Sequence, residues 1–314
     1  MDYFMSLNPL SLVRALPGSI AQGMIWGIMA LGIYLTFRLL DFADMTVDGT
    51  IALGAAVSVM LIRGGVSPIV SLPVAFLVGM LAGLVTGLLN TALGIPGILA
   101  GILTQISLYS INLNIMGKSN QPVSVDNYPL VVSLRYVTDN MTSRIIFFVG
   151  MVIFLLVLVA VLYWYFGTEQ GHAIRATGCN GSMARAQGIN TNFIKVLALM
   201  ISNGLVGLCG GMYAQFQGAA DVNMGRGAIV IGLAAVIIGE VLFGKFASKR
   251  KHAFAFVLIS VILGAIIYYM VYQFVLWLKM PSENMKLFSA IVVAVFLSVP
   301  YLKEKRNLKK GVAK

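Results

Sequence analysis

Few residues in this chain of 314 could make or break bonds. The two histidines, His172 and His252, and the two cysteines, Cys179 and Cys209, form neither a metal quartet nor a disulfide framework. Gly117-Lys118-Ser119 imitates the end of a phosphate-binding loop. Asn112 stands where the first glycine of such a loop belongs, however, and no strand-like run precedes it. No catalytic residue, metal ligand or resident cofactor is therefore expected. The informative polar side chains are those embedded in apolar runs. Thr104, Ser107, Ser110 and Asn114 fall close to one helical face, with Gln105 and Asn112 on an adjacent face, and Asn90 and Asn203 sit in two glycine-rich runs. Polar groups in such runs face a bundle interior or a cavity. These eight residues are candidates to line a translocation pathway, the alternative being interhelical hydrogen bonds that fix packing.

The elements that must position them follow from composition. Hydrophobic residues make up 59% of the chain and charged residues 11%, against about 25% charged in a soluble domain. Mean hydropathy is +0.91. These values exclude a soluble enzyme, a disordered chain and a disulfide-stapled secreted fold. The fold class is an all-α polytopic membrane protein in contact with lipid. Nine apolar segments can be read, at 18–40, 47–62, 69–93, 96–116, 145–167, 193–217, 226–245, 253–278 and 287–302. The second is short and glycine-containing, the pattern of a broken or tilted helix.

The net charge of +11 is distributed between and after the apolar runs, which reads as topology and not as nucleic-acid binding. Alternation puts the loop 168–192, the stretch Lys245–His252 and the basic tail 303–314 in the cytoplasm. The C-terminus is then cytoplasmic and the N-terminus outside. Asp41, Asp44 and Asp48 fall at the cytoplasmic end of the first two spans, where helix capping is expected. Tyr268, Tyr269, Tyr272 and Trp277 fall toward the outer end of the eighth, where an aromatic belt is expected.

Two segments resemble each other: ADMTVDGTIALGAAVSVMLI (43–62) and ADVNMGRGAIVIGLAAVIIG (220–239). Each starts Ala-Asp, passes a polar turn and becomes a small-residue helix. Gly79, Gly83 and Gly87 in the third span, and Gly204, Gly207 and Gly211 in the sixth, let helix backbones approach closely. The chain therefore reads as one transmembrane domain, 1–314. A first repeat (1–116) and a linking span (145–167) precede the cytoplasmic loop, and an inverted second repeat (193–302) and the tail follow it. Inverted repeats are a transporter architecture.

Within 168–192, Asn180 is a suitable N-cap and Gly188 a suitable C′ residue, bracketing a helix over 181–187. A helix of two turns is unstable in water by itself, so it must be held by tertiary contacts or by a partner. Met183, Ala184 and Ala186 are available to insert into that partner and Arg185 to pair with a carboxylate.

The stretch GHAIRATGCNGSMARAQGINTNFIKVLALMISNGLVGLCGGMYA (171–214) resembles the signature of permease subunits of bacterial ABC importers, the branched-chain amino acid, ribose and simple-sugar permease superfamily. Gly171, Ala173, Ile174, Arg175, Ala176, Gly178, Asn180, Ala184, Gly188 and Ile189 match the pattern, and Met183 departs from it. LDFADMTVDGTIALGA (40–55) and GLVTGLLNTALGIPGILAGILT (83–104) match in order, as do Gln121-Pro122-Val123 and GLAAVIIGEVLFG (232–244). The nearest subgroup is that of compact permeases, some linked to aromatic amino acids. The resemblance implies a multi-pass protein of the bacterial cell membrane, paired with a second permease copy. It also implies two cytoplasmic ABC ATPase subunits that use Mg-ATP and an extracytoplasmic substrate-binding protein. The coupling element would comprise Arg175, Asn180, Met183, Ala184, Arg185, Gly188 and Ile189. The solute expected is small and neutral or zwitterionic, such as an amino acid. The alternatives are a nucleoside, sugar or vitamin-precursor importer, or a secondary transporter.

Overall fold

The computed structural model describes residues 9–138, 140–247 and 252–278, with isolated positions at 287, 290, 291, 294, 295 and 298. Helix α1 (Pro9–Tyr34) runs into a π-helical turn (Leu35–Leu39), followed by α2 (Val47–Arg63), α3 (Pro68–Thr91) and α4 (Gly97–Met116). A strand β1 (Asn120–Pro122) and a short helix α5 (Leu134–Thr138) lead to α6 (Met141–Tyr165). Two short helices, α7 (Glu169–Cys179) and α8 (Gly181–Ala186), precede α9 (Thr191–Gln217), β2 (Ala219–Asp221), α10 (Ala228–Ala247) and α11 (Ala253–Trp277). Six of these helices are long and apolar enough to cross a membrane, α10 is a shorter apolar helix by the same measure, and α2 has 17 residues. The protein is a polytopic all-α membrane protein.

Local chemistry sets the boundaries. Pro68 occupies the first turn of α3, where a missing N–H costs nothing. Gly117 and Gly218 close α4 and α9 with φ of 66° and 79°, the left-handed geometry that glycine adopts without strain. Helix α1 begins nine residues before the expected 18, because Ser11, Arg14 and Pro17 are carried within the helix. The expected span 287–302 lies mostly outside the described residues. The basic tail 303–314 lies wholly outside them.

By internal contacts the chain forms two compact units, 28–229 and 1–27 with 230–314. In the first, α9 packs against α3 and α2. Gly79 and Gly83 of α3 face the α9 carbonyls of Asn203 and Leu199, Gly87 faces Val196, and Gly207 faces the Ala75 carbonyl. Gly204 lies under the Phe76 and Met80 side chains, and Gly211 against Ala75, Leu72 and Ser58. On the α2 side, Gly54 abuts Gly207, and Gly210 abuts the Ile51 carbonyl. A Cβ at most of these positions would overlap a backbone atom. At one end of the unit β1 pairs antiparallel with β2, Gln121 opposite Ala220. Ala55, Val59, Ile62, Met116, Val123 and Ala214 pack beneath this ribbon.

In the second unit α1 and α11 approach through Gly23 at Ile266 and Gly27 at Ile262. Gly239 of α10 and Gly264 of α11 lie against the Ser260 and Ala235 carbonyls. Ser19 donates to Gln273 at 3.0 Å, and the Trp26 and Tyr269 rings stand 5.6 Å apart. Tyr268 and Tyr269 are buried, not in a belt, because Tyr269 packs at a tilt on Trp26 of α1 and edge-to-face on Tyr268 in the packed face of α11.

The polar connection after β1 carries an exposed ion pair, Arg135 to Asp126. The Arg135 guanidinium, with the Ser124 hydroxyl, holds the Asp126 carboxyl below its ordinary value. The sign follows: whatever this pair contributes is present above the ordinary carboxylate pKa and is lost as pH falls through the lowered one. A carboxyl-carbon NMR titration should show Asp126 titrating low, and Arg135→Gln should return it toward the ordinary range. For the core, Gly207→Leu should force α9 off both neighbours at a cost of about 1–3 kcal/mol or more, read as a lower unfolding midpoint in mild detergent. Leucine at Gly181, where a Cβ meets no atom within 4 Å, should leave that midpoint almost unchanged.

Candidate functional site

The interior polar groups converge where α2 begins. Asp41, with φ of 54°, turns the chain out of the π-helical segment, a backbone geometry that a short acidic side chain tolerates. Asp44 does not cap α2 as expected but closes the turn just before it, its Oδ1 accepting the N–H of Thr46, the residue at the N-cap position, at 2.9 Å. Its Oδ2 accepts from Asn203 Nδ2 at 2.6 Å, and Asn203 Oδ1 accepts the Thr50 hydroxyl at 2.8 Å. Asn203 stands midway along α9. The start of α2 therefore lies level with the middle of a 27-residue helix, not at its end. A second chain of hydroxyls joins three helices: Thr46 to Thr86 at 2.7 Å, and Thr86 to Thr104 at 3.0 Å. All five of these threonines and amides, with Asp44, are buried and bonded.

Asp48, in the first turn of α2, does not cap its own helix. Its Oδ2 accepts the Gly227 N–H at 2.9 Å and its Oδ1 the Ile229 N–H at 3.0 Å. It thus satisfies amides at the start of α10, which otherwise lack intrahelical partners. Gly225 passes so close to the Asp48 carbonyl that a Cβ would overlap it. Beside this contact lies a cavity of about 310 Å³ lined by Asp48, Gly49, Gln105, Ile106, Tyr109, Ser110, Asn112, Val222 and Arg226. Asn112 is fully buried; its Nδ2 donates to the Gly49 carbonyl at 3.3 Å and its Oδ1 has no hydrogen-bond partner.

The eight polar residues singled out from sequence divide by environment. Thr104 bonds Thr86 of α3, Asn112 faces α2 at Gly49, and Gln105 is half-buried. Ser107, Ser110 and Asn114 are exposed on the chain, and Ser107 donates to its own helix at the Leu103 carbonyl. Asn90 donates to the Ile95 carbonyl at 2.9 Å, which fixes the turn between α3 and α4. Asn203 is the hub of the buried network. Asp48 and Arg226 emerge as cavity residues that sequence reasoning did not select. The polar turn after the second Ala-Asp pair was the one available signal for Arg226.

At the loop 168–192, the Asn180 side chain accepts the N–H groups of Ser182 and Met183 at 3.1 and 3.0 Å, capping α8. Gly188, with φ of 83°, follows the helix, and the Ile189 N–H returns to the Ala184 carbonyl. Ala184 is buried, while Met183 (61% exposed) and Arg185 point outward. The stretch before Asn180 is a second helix, α7, where the sequence pattern predicts only connecting loop. Thr168 caps it, and Glu169 sits in its first turn. Gly178 of α7 lies against Leu39 and Leu40, and the Arg175 guanidinium stands 5.7 Å above the Phe166 ring. Among the described residues no group of three or more His, Cys, Asp or Glu could hold a metal.

A family model described as "Branched-chain amino acid transport system / permease component" matches residues 16–297. The chain belongs to this permease family. It is 40% identical to the tyrosine transport system permease protein of Clostridioides difficile, over 93% of each chain. It is 30% identical to an uncharacterized protein of Rickettsia prowazekii, over 89% of this chain and 95% of that one. It is 25% identical to a probable branched-chain amino acid transport permease protein, LivH, of Methanocaldococcus jannaschii, over 74% of this chain and 76% of the other. No solved structure matches the chain. As a permease of an ABC-type transport system the chain is a multi-pass transport subunit and not an enzyme. The ATPase is a separate subunit, and permeases of this family work with ATPase and binding-protein partners.

If the permease's buried network acts as a unit, Asp44→Ala and Asn203→Ala should be strongly non-additive. A double-mutant cycle on detergent unfolding should give a coupling of about 1–2 kcal/mol, whereas Asp44→Ala with Ser107→Ala should give none.

Proposed function

We propose that the chain is the membrane-spanning half of a homodimeric ABC importer for an amino acid. Solute would arrive from an extracytoplasmic binding protein, and two cytoplasmic ATPases would drive its passage. The observation that carries the coupling assignment is α8, a six-residue helix with Ala184 buried and Met183 and Arg185 presented outward. A helix this short exists only because Asn180, Gly188 and its neighbours hold it. Its outward pair suits an apolar groove with a carboxylate at its rim. Arg175 would support this element from α7, and Ile189 would tie it to α9.

The reading also places nine spans in two inverted four-helix repeats, 1–116 and 193–302, joined by 145–167. The N-terminus would be outside and the basic tail cytoplasmic, in the cell membrane of a bacterium. Two facts support the repeat. The Ala-Asp turns match in detail, Asp44 accepting from Thr46 and Asp221 from Asn223. The pairing order also matches: α9 packs on α3 through glycines in one unit, and α1 on α11 through glycines in the other. An amino acid is favoured as solute because the relative named for tyrosine transport aligns along 93% of each chain.

Arg185→Glu combined with Gly188→Pro should leave membrane insertion intact and abolish co-purification of the cognate ATPase, with loss of uptake. Retention of the ATPase and of uptake by that double variant would overturn the coupling assignment. Uptake of labelled tyrosine, leucine, nucleoside and ribose by proteoliposomes holding the whole importer should select an amino acid.

A further inference from the structure

The cavity beside Asp48 is not accounted for by packing. We infer that it is a contact site for the transported solute within this chain, and that it recognises the two charges of a zwitterionic α-amino acid. The inference rests on the amino-acid reading above and adds the residues that would meet the solute.

The cavity, about 310 Å³, falls within the range of small-molecule sites. Its wall carries both signs of charge. The Asp48 carboxylate accepts two backbone N–H groups, and a carboxylate has roughly four lone-pair sites. Acceptor capacity on that carboxylate remains for an ammonium donor. The wall also carries Arg226, between the two glycines that touch Asp48, an exposed guanidinium with no ion pair or side-chain hydrogen bond among the described residues. Its planar fork suits a carboxylate. Asn112 lies fully buried in the same wall and its amide oxygen has no hydrogen-bond partner, an unsatisfied polar group of the kind that marks a functional site more often than plain packing. Ile106, Tyr109 and Val222 form the apolar part of the lining, where the amino-acid side chain would lie. Gly225 lets the turn that carries Arg226 close on the Asp48 carbonyl, and Gly49 lets α4 close on α2 at Gln105 and Leu108.

The site must also release what it holds. An acceptor already engaged by two amides and a guanidinium open to water give weak binding, as a pathway requires and a storage site does not.

The test uses the complete importer in proteoliposomes, with Ser110→Cys in a Cys179→Ser background as a reporter in the cavity wall. A small methanethiosulfonate should modify Cys at 110. Tyrosine delivered by the binding protein should slow that modification, while tyramine, which lacks the carboxylate, should not when added directly in excess. Arg226→Gln should erase the difference between the two compounds and lower tyrosine uptake by about tenfold, the equivalent of one charged hydrogen bond. Arg226→Lys should restore part of it. Asp48→Asn should weaken protection by tyrosine and leave protection by 4-hydroxyphenylpropionate, which lacks the ammonium, unchanged. If the importer transports tyrosine but the label is not slowed, or is slowed equally by tyramine, the site assignment falls alone. If no amino acid is transported by an importer that retains its ATPase, the amino-acid reading falls and takes this site with it.

Discussion

The architecture of this permease depends on how closely α9 can approach α2 and α3. In lipid there is no hydrophobic gain from bringing two apolar helices together, so packing contacts and internal hydrogen bonds must supply the association. Gly207 is where this is resolved: Gly54 of α2 meets it on one side, and Gly79 and Ala75 of α3 on the other. Backbones at that separation leave no room for side chains and gain dispersion contacts along their whole length. The buried hydrogen bonds of Asn203, Ser58, Ser71 and Gln215 are then made across gaps that only such an approach allows.

The same approach explains why an acid can be carried in the interior. Asp44 sits at the level of the middle of α9, where an isolated carboxylate would be expensive. It is held by a backbone N–H from its own turn and an amide N–H from Asn203, and Asn203 is itself oriented by Thr50 and the Leu199 carbonyl. A network whose members are all bonded rigidifies the interior, whereas a partly bonded one is a liability. Asn112 is the exception near this point, and it borders the cavity.

Much of this could be read from residue order. The glycine spacing in the third and sixth spans, the paired Ala-Asp turns and the Asn180–Gly188 bracket are local patterns with one physical meaning each. What escaped was non-local. Nothing near Asp48 indicates that its carboxylate caps a helix about 180 residues later, because a first-turn aspartate reads as a cap for its own helix. Thr46 and Thr86 look like ordinary span residues until the fold lines their hydroxyls up with Thr104. Helix α7 escaped because its sequence is neutral in hydropathy and shows no apolar stripe. Tyr268 and Tyr269 read as interfacial because aromatics near a span end usually are, and only their packing partner on α1 reveals otherwise.

The fit of Gly178 against Leu39 has a mechanical consequence. Helix α7 is wedged against the end of the long first segment, and α8 continues from it into α9 through a connection of four residues. In the proposed importer, a displacement delivered at Met183 would have two outlets: the π-helical turn by way of α7, and the base of α9 directly. A π-helical turn is a wide, loosely wound register that can tighten by one residue. Motion entering at one small element would then be divided between a rod that transmits it and a coil that absorbs it.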